Sequence, residues 1–198
     1  MHVLLTHILD SIFPPRADEL LVRALTEEQV TSRYAPEIVH GVTALSAFRH
    51  PQIHALIHEA KYEHNKTAQK LLGALLIQHC KLHENLAHAL WVPVPLSPAR
   101  KRARGYNQVE AILSQTAIPF ATNILSRTRD TKRQTELSKD ERLSNVQGAF
   151  TCTHPELIYG KHIVLLDDVV TTGATIAAVR NAISPHNPAT ITLIALAH

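Results

Sequence analysis

Residues 163–176 read IVLLDDVVTTGATI, and no other stretch constrains the fold as strongly. Four consecutive apolar residues, Ile163, Val164, Leu165 and Leu166, predict a buried strand of the kind found in a parallel sheet covered on both faces. The strand ends on two acids, Asp167 and Asp168. Val169 leads into a loop with Thr171, Thr172, Gly173, Ala174 and Thr175, and an apolar helix is expected to run on to about residue 183. Gly173 has no Cβ, so the backbone there can adopt unusual angles and approach a ligand closely. A helix start offers unpaired N–H groups and a positive dipole end, which suit a phosphate. The three threonines add hydroxyl donors. Paired carboxylates cannot face that phosphate; they suit sugar hydroxyls or a metal. Together these features predict a sugar-phosphate site at the carboxyl end of a strand, where open α/β sheets bind ligands. The stretch has no Gly-Lys-Ser/Thr and no GxGxxG, so it is neither a Walker loop nor a dinucleotide fingerprint.

The 198 residues suffice for one α/β domain with a small appendage, and 45% hydrophobic with 19% charged residues is a globular composition. Cys80 and Cys152 lie far apart with no CxxC, which argues against a disulfide framework or a thiolate zinc site and fits a reducing cytoplasm. No run reaches the roughly 18 apolar residues of a membrane helix, so no membrane insertion is expected. The opening MHVLLTHILDSIF has no basic region and is interrupted by Asp10. It reads as an amphipathic helix rather than a signal peptide. The net charge of +3 is unevenly spread: residues 97–142 hold ten Lys or Arg against five Asp or Glu. A local basic excess implies an anionic partner, either a pyrophosphate, a nucleic acid or both.

Along the chain, Pro14-Pro15 ends the first helix and a second is expected from 17 to about 28. Residues 32–42 read as irregular structure. A helix after His50-Pro51 places His54 and His58 at i, i+4, a spacing that can chelate a metal but with no third ligand in view. It closes on Lys61-Tyr62. Another helix is expected from 66 to 83, a strand at 90–95 and a loop at 96–103. A helix opening at Arg104 should run to about 115, with a strand at 120–126. Residues 127–148 are polar, with Ser138 and Glu141 spaced as a capping box around a short helix. Strands at 149–153 and 189–197 complete the α/β pattern.

Three segments, PVPLSPARKRARGYNQ, RTRDTKRQTELSKDERLSNVQGAF and IVLLDDVVTTGAT, together resemble the ComF family of phosphoribosyltransferase-like proteins, which is linked to competence and DNA uptake. The likeness runs from about residue 50 to the end. It includes Lys61-Tyr62, the R-G-Y/F-N-Q element at Arg104 to Gln108, Gln134-Thr135 with Leu137, Glu141 with Asn145, Ala149-Phe150 and the closing TLIALAH. It implies a type I phosphoribosyltransferase fold: a mostly parallel sheet flanked by helices, at 51–198, preceded by a small helical extension at 1–50. On that template Asp167 and Asp168 serve the ribose hydroxyls of phosphoribosyl pyrophosphate. The loop from Val169 to Thr175 takes the 5′-phosphate. Pro95, Leu96, Arg100, Lys101 and Arg104 meet the pyrophosphate. Arg102 belongs to the same basic run, and Arg127, Arg129, Lys132, Arg133 and Arg142 lie in a flexible loop able to close over the site. The catalytic set implied is Arg104, Asp167 and Asp168. Cations and Mg2+ aimed at the pyrophosphate stabilise the leaving group as it gains charge. No protein metal ligand is expected, since the Mg2+ comes with the pyrophosphate. LDSIFPPR resembles the family's opening, but no cysteine occurs in residues 1–79, so the zinc ribbon usual there is excluded and no zinc is expected.

Three functions follow from the resemblance. One is a protein of DNA uptake that binds phosphoribosyl pyrophosphate and single-stranded DNA and works with a competence helicase or recombination mediator. The second is an active phosphoribosyltransferase of nucleotide or base metabolism, although no base-specificity hood is recognisable. The third is a non-catalytic sensor of phosphoribosyl pyrophosphate.

Overall fold

The computed structural model describes residues 14–128 and 148–198. The first expected helix therefore lies mostly outside the described residues, and the capping-box helix of the polar segment lies wholly outside them. The single helix expected from 17 to 28 is two: α1, Ala17–Ala24, and α2, Glu27–Thr31. Leu25 is extended, and Thr26 starts the second helix with a capping box: its hydroxyl accepts from the Gln29 amide at 3.2 Å, and the Gln29 side-chain oxygen accepts from the Thr26 amide at 2.9 Å.

Residues 32–42, expected to be irregular, contain β1, Glu37–Val39, and the start of β2, Val42–Ala44. His40 and Gly41 join them with φ of 52° and 77°. A two-residue turn with both φ positive matches the twist of a hairpin. Helix α3, Pro51–Tyr62, starts on its proline, and α4, Lys66–Leu82, is capped by Asn65. β3 is Leu90–Pro93. The expected loop at 96–103 is instead largely helix α5, Pro98–Arg104, capped by the Ser97 hydroxyl and ended by Gly105 at φ 78°. The helix expected from 104 accordingly shortens to α6, Gln108–Leu113. At 120–126 only Phe120 bridges Trp91. The chain then turns into β4, Leu125–Arg127, which pairs antiparallel with β5, Phe150–Cys152, in a separate ribbon. β6, His162–Val169, α7, Ala174–Ile183, and β7, Thr190–Ala197, follow.

The main sheet among the described residues runs β1-β2-β7-β6-β3, parallel except for β1. β6 sits between β3 and β7 and is apolar on both faces. Val164 and Leu166 join a core built with α3, α4 and α6; Ile163 and Leu165 join a second core built with α7 and the β4–β5 ribbon. Period-two alternation then carries Asp168 to the first face and Asp167 to the second. β6 also outlasts its apolar run: Asp167 pairs with Ala195 and Val169 with Ala197, so the acids lie within the strand. No described helix is long and apolar enough to cross a membrane.

Candidate functional site

The carboxyl end of β6, the loop after it and the first turn of α7 enclose one pocket. It is lined by Asp167, Val169, Val170, Thr171, Thr172, Gly173, Ala174, Thr175 and Ile176. Gly173 has φ 72° and the Ala174 amide donates to the Thr172 hydroxyl at 3.4 Å. The loop thus turns its donors toward the helix start, the arrangement that receives a phosphate. Seven of the eight residues expected at the sugar phosphate meet here; Asp168 does not.

Asp168 is buried on the opposite face of β6. Its Oδ2 accepts from Lys61 Nζ of α3 at 2.9 Å and from Gln108 Nε2 of α6 at 2.7 Å, and its Oδ1 accepts from the Val169 amide at 2.7 Å. Burial pushes this carboxyl upward, but the charge and hydrogen bond of Lys61, with the bonds from Gln108 and Val169, outweigh it and hold Asp168 below the usual carboxylate range. Asp167 accepts one bond, from the Asp168 amide at 2.9 Å. Burial, then the neighbouring Asp168 charge, pushes it up to about 7. The two acids therefore differ in both direction and environment.

The RGYNQ element builds the wall beside them. Asn107 donates to the Val94 carbonyl at 3.0 Å and caps α6 through the Val109 amide at 2.9 Å. Tyr106 donates its hydroxyl to the Ala60 carbonyl, which ties the element to α3. Arg104 donates to Gln108 Oε1 at 3.1 Å, and its guanidinium lies 5.0 Å from the Tyr62 ring centre. Among the other expected anion contacts, Pro95, Leu96 and Arg100 are half-buried while Lys101 and Arg102 are exposed on α5. Arg127 is buried with its guanidinium 5.1 Å from the Phe150 ring centre. Arg129, Lys132, Arg133 and Arg142 lie outside the described residues. His58 turns its Nδ1 to Asp18 at 3.3 Å, and its ring stacks 6.2 Å from that of His54.

Sequence reasoning gave no role to Lys61, to Gln108 or to His40. Lys61 and Gln108 entered only as letters of a motif. His40 comes from the unexpected hairpin and packs on the loop: a Cβ added to Gly173 would stand 2.9 Å from the His40 Cβ.

Residues 86–198 match the phosphoribosyl transferase domain family. The chain is 31% identical over 150 residues to the DNA utilization protein YhgH of Escherichia coli O157:H7, covering 71% of this chain and 65% of that one. It is 32% identical over 118 residues to competence protein F of Haemophilus influenzae, covering 57% of this chain and 51% of that one. With competence protein ComFC of Streptococcus pneumoniae the identity is 28% over 120 residues, 61% of this chain and 51% of that one. The aligned part thus spans about half to two thirds of the length of these relatives. The matched region holds β3, the RGYNQ wall and the acid–threonine loop, the parts that build the site. The chain belongs to the phosphoribosyl transferase domain family, as a phosphoribosyltransferase-like protein of the ComF type.

Proposed function

We propose that this protein binds phosphoribosyl pyrophosphate with Mg2+ in the loop after β6 and serves DNA uptake in the cytoplasm. The observation that carries the reading is a single pocket in which a pocket-facing acid, Asp167, meets three threonines and the start of α7. The α7 end and the threonine loop suit the 5′-phosphate; Asp167 suits a ribose hydroxyl, which donates to it. Arg100 and Lys101, beside Pro95 and Leu96, supply positive charge for the pyrophosphate. When bound there, Mg2+ would neutralise charge on the leaving group. Calorimetry with phosphoribosyl pyrophosphate and Mg2+, followed by pyrophosphate-release assays over candidate acceptors, tests the reading. Binding with release marks a transferase, binding without release a sensor, and no binding sinks both.

A nucleic-acid role has its own support. Arg100, Lys101 and Arg102 sit on α5, and nearby Tyr62 is 52% exposed with Arg104 against its ring. Cations beside an open aromatic ring suit single-stranded DNA, whose bases stack on such platforms. A competence helicase or recombination mediator would be the protein partner on this reading. Each phosphate neutralised contributes roughly −0.7 to the slope of log K against log salt for single strands. Changing Arg100, Lys101 and Arg102 together to Ala should therefore flatten that slope by about 2. Fluorescence anisotropy with a labelled oligonucleotide at several salt concentrations measures it. An unaltered slope removes this helix from any DNA interface.

A further inference from the structure

Resting on the proposed phosphoribosyl pyrophosphate site, we propose that Asn107 is a positioning residue for the pyrophosphate end of the ligand. It grips the chain where it leaves β3 and so aims the turn that carries Pro95, Leu96 and the cations of α5. The Asn107 side chain makes three contacts, and one orientation of its amide satisfies them all. Its Oδ1 accepts from the Val109 amide at 2.9 Å, so its Nδ2 is the end that donates to the Val94 carbonyl at 3.0 Å and to Glu110 Oε1 at 3.2 Å. Asn107 is only 5% exposed, so water competes little for these bonds.

The place of Val94 gives this grip its reach. Val94 lies one residue past β3, and its amide donates to the Leu166 carbonyl of β6 at 2.9 Å. With Asn107 on its carbonyl, both backbone groups of Val94 are bound. Pro95 follows and has no N–H to tie down. The chain is held again at Ser97, whose hydroxyl accepts from the Arg100 amide at 3.4 Å and whose carbonyl accepts from the Lys101 amide at 2.8 Å. Two residues separate the two holds, so a shift at Val94 passes directly to the start of α5 and to its cations. The residues on either side of Asn107 fasten other elements: Tyr106 donates to the Ala60 carbonyl of α3, and Gln108 donates to Asp168 in β6. Asn107 and Gln108 thus hold the ends of two adjacent parallel strands in register. The Asn107 bonds serve the β3 side, for none of its three partners lines the threonine pocket. Loss of its grip should therefore free the turn after β3 and leave the seat of the 5′-phosphate in place.

The test compares three ligands in the presence of Mg2+: phosphoribosyl pyrophosphate by calorimetry, and inorganic pyrophosphate and ribose 5-phosphate by displacement of it. The variants are Asn107→Ser and Asn107→Asp. Serine is itself a good helix cap, so Asn107→Ser keeps the start of α6 and removes the reach to Val94. Aspartate keeps both the shape and the cap but has no N–H to donate. Both variants should bind phosphoribosyl pyrophosphate and pyrophosphate about tenfold more weakly, the scale of one lost buried hydrogen bond, while ribose 5-phosphate stays within about twofold of wild type. A merely structural contact would lower Tm and would either spare the three ligands or weaken them alike. Equal losses for all three, or an unchanged affinity for pyrophosphate, therefore overturn the role of Asn107. If the serine variant does not fold, Asn107→Asp carries the same comparison, since it preserves the volume and the cap. Wild-type protein that binds no phosphoribosyl pyrophosphate overturns the site reading itself. Wild-type binding with a ratio of pyrophosphate to ribose 5-phosphate affinity that neither variant moves overturns the role of Asn107 alone.

Discussion

Asp167→Asn should lower the affinity for phosphoribosyl pyrophosphate by roughly ten- to 150-fold, the loss of about 1.5–3 kcal/mol expected when a charged acceptor is removed. Asn keeps the shape, so the loop and β6 should stay in place. Stability should move the other way. The folded protein holds Asp167 at about 7, above its unfolded value near 4. An acid raised in this way is penalised once the unfolded chain ionises. Its cost to stability therefore grows as pH rises through the interval from about 4 to 7 and is absent below it. The Asn variant escapes that cost and should melt at or above the wild-type temperature at pH 7.5, with the two converging near pH 4. Calorimetric titration and differential scanning calorimetry measure the two halves. Unchanged affinity would end the assignment of Asp167 to the ligand.

Gly173→Val should be the most damaging substitution in the loop. The position has φ 72°, a region costly for any side chain and worst for a β-branched one. A Cβ there would also meet the His40 Cβ at 2.9 Å, an atom fixed to the backbone of the β1–β2 turn. The combined cost should be on the order of 3 kcal/mol, a fall of roughly 6–12 °C in Tm for a chain of this size. The pocket should lose its ligand at the same time. The obstruction is not the one a sequence argument suggests: the side chain meets the hairpin, besides any phosphate. His40→Gly in the Gly173→Val background should consequently recover part of the lost Tm, while Gly41→Ala, with nothing within 4 Å, should cost only the backbone strain of its own φ. A Gly173→Val protein as stable as wild type would contradict the packing of hairpin on loop.

The contrast shows what one sequence can and cannot display. Ile163 to Leu166 were legible as a buried strand because an unbroken apolar run has few other uses. The acid–threonine loop was legible because its chemistry is local: every group in the pocket lies within ten residues. Helix α5 was misread as loop, although Ser97-Pro98 at its start and Gly105 at its end are ordinary helix signals. The four basic residues between them drew the reading toward ligand chemistry. The hairpin at 37–44 was missed because strands of three residues are too short for alternation to register. The partnership of Lys61 and Gln108 with Asp168 was not legible at all. It is made by two helices meeting one strand end, and no periodicity in the chain reports a contact of that kind.

The attachment of β2 to β7 bears on how the chain reaches its final form. Thr43 pairs with Ile194, and the Ser46 hydroxyl donates to the Leu196 carbonyl 150 residues away in sequence. Closing so long a loop costs entropy before any hydrogen bond is gained, and contacts of that span slow folding. During synthesis β2 emerges early and, beyond β1 of its own hairpin, has no strand to pair with until β7 has been made. Until then, the edge of β7 and the early segment are open to wrong partners, including a second nascent chain. Since the β1–β2 turn carries His40 onto Gly173, the phosphate loop takes its final packing only when this last edge has closed.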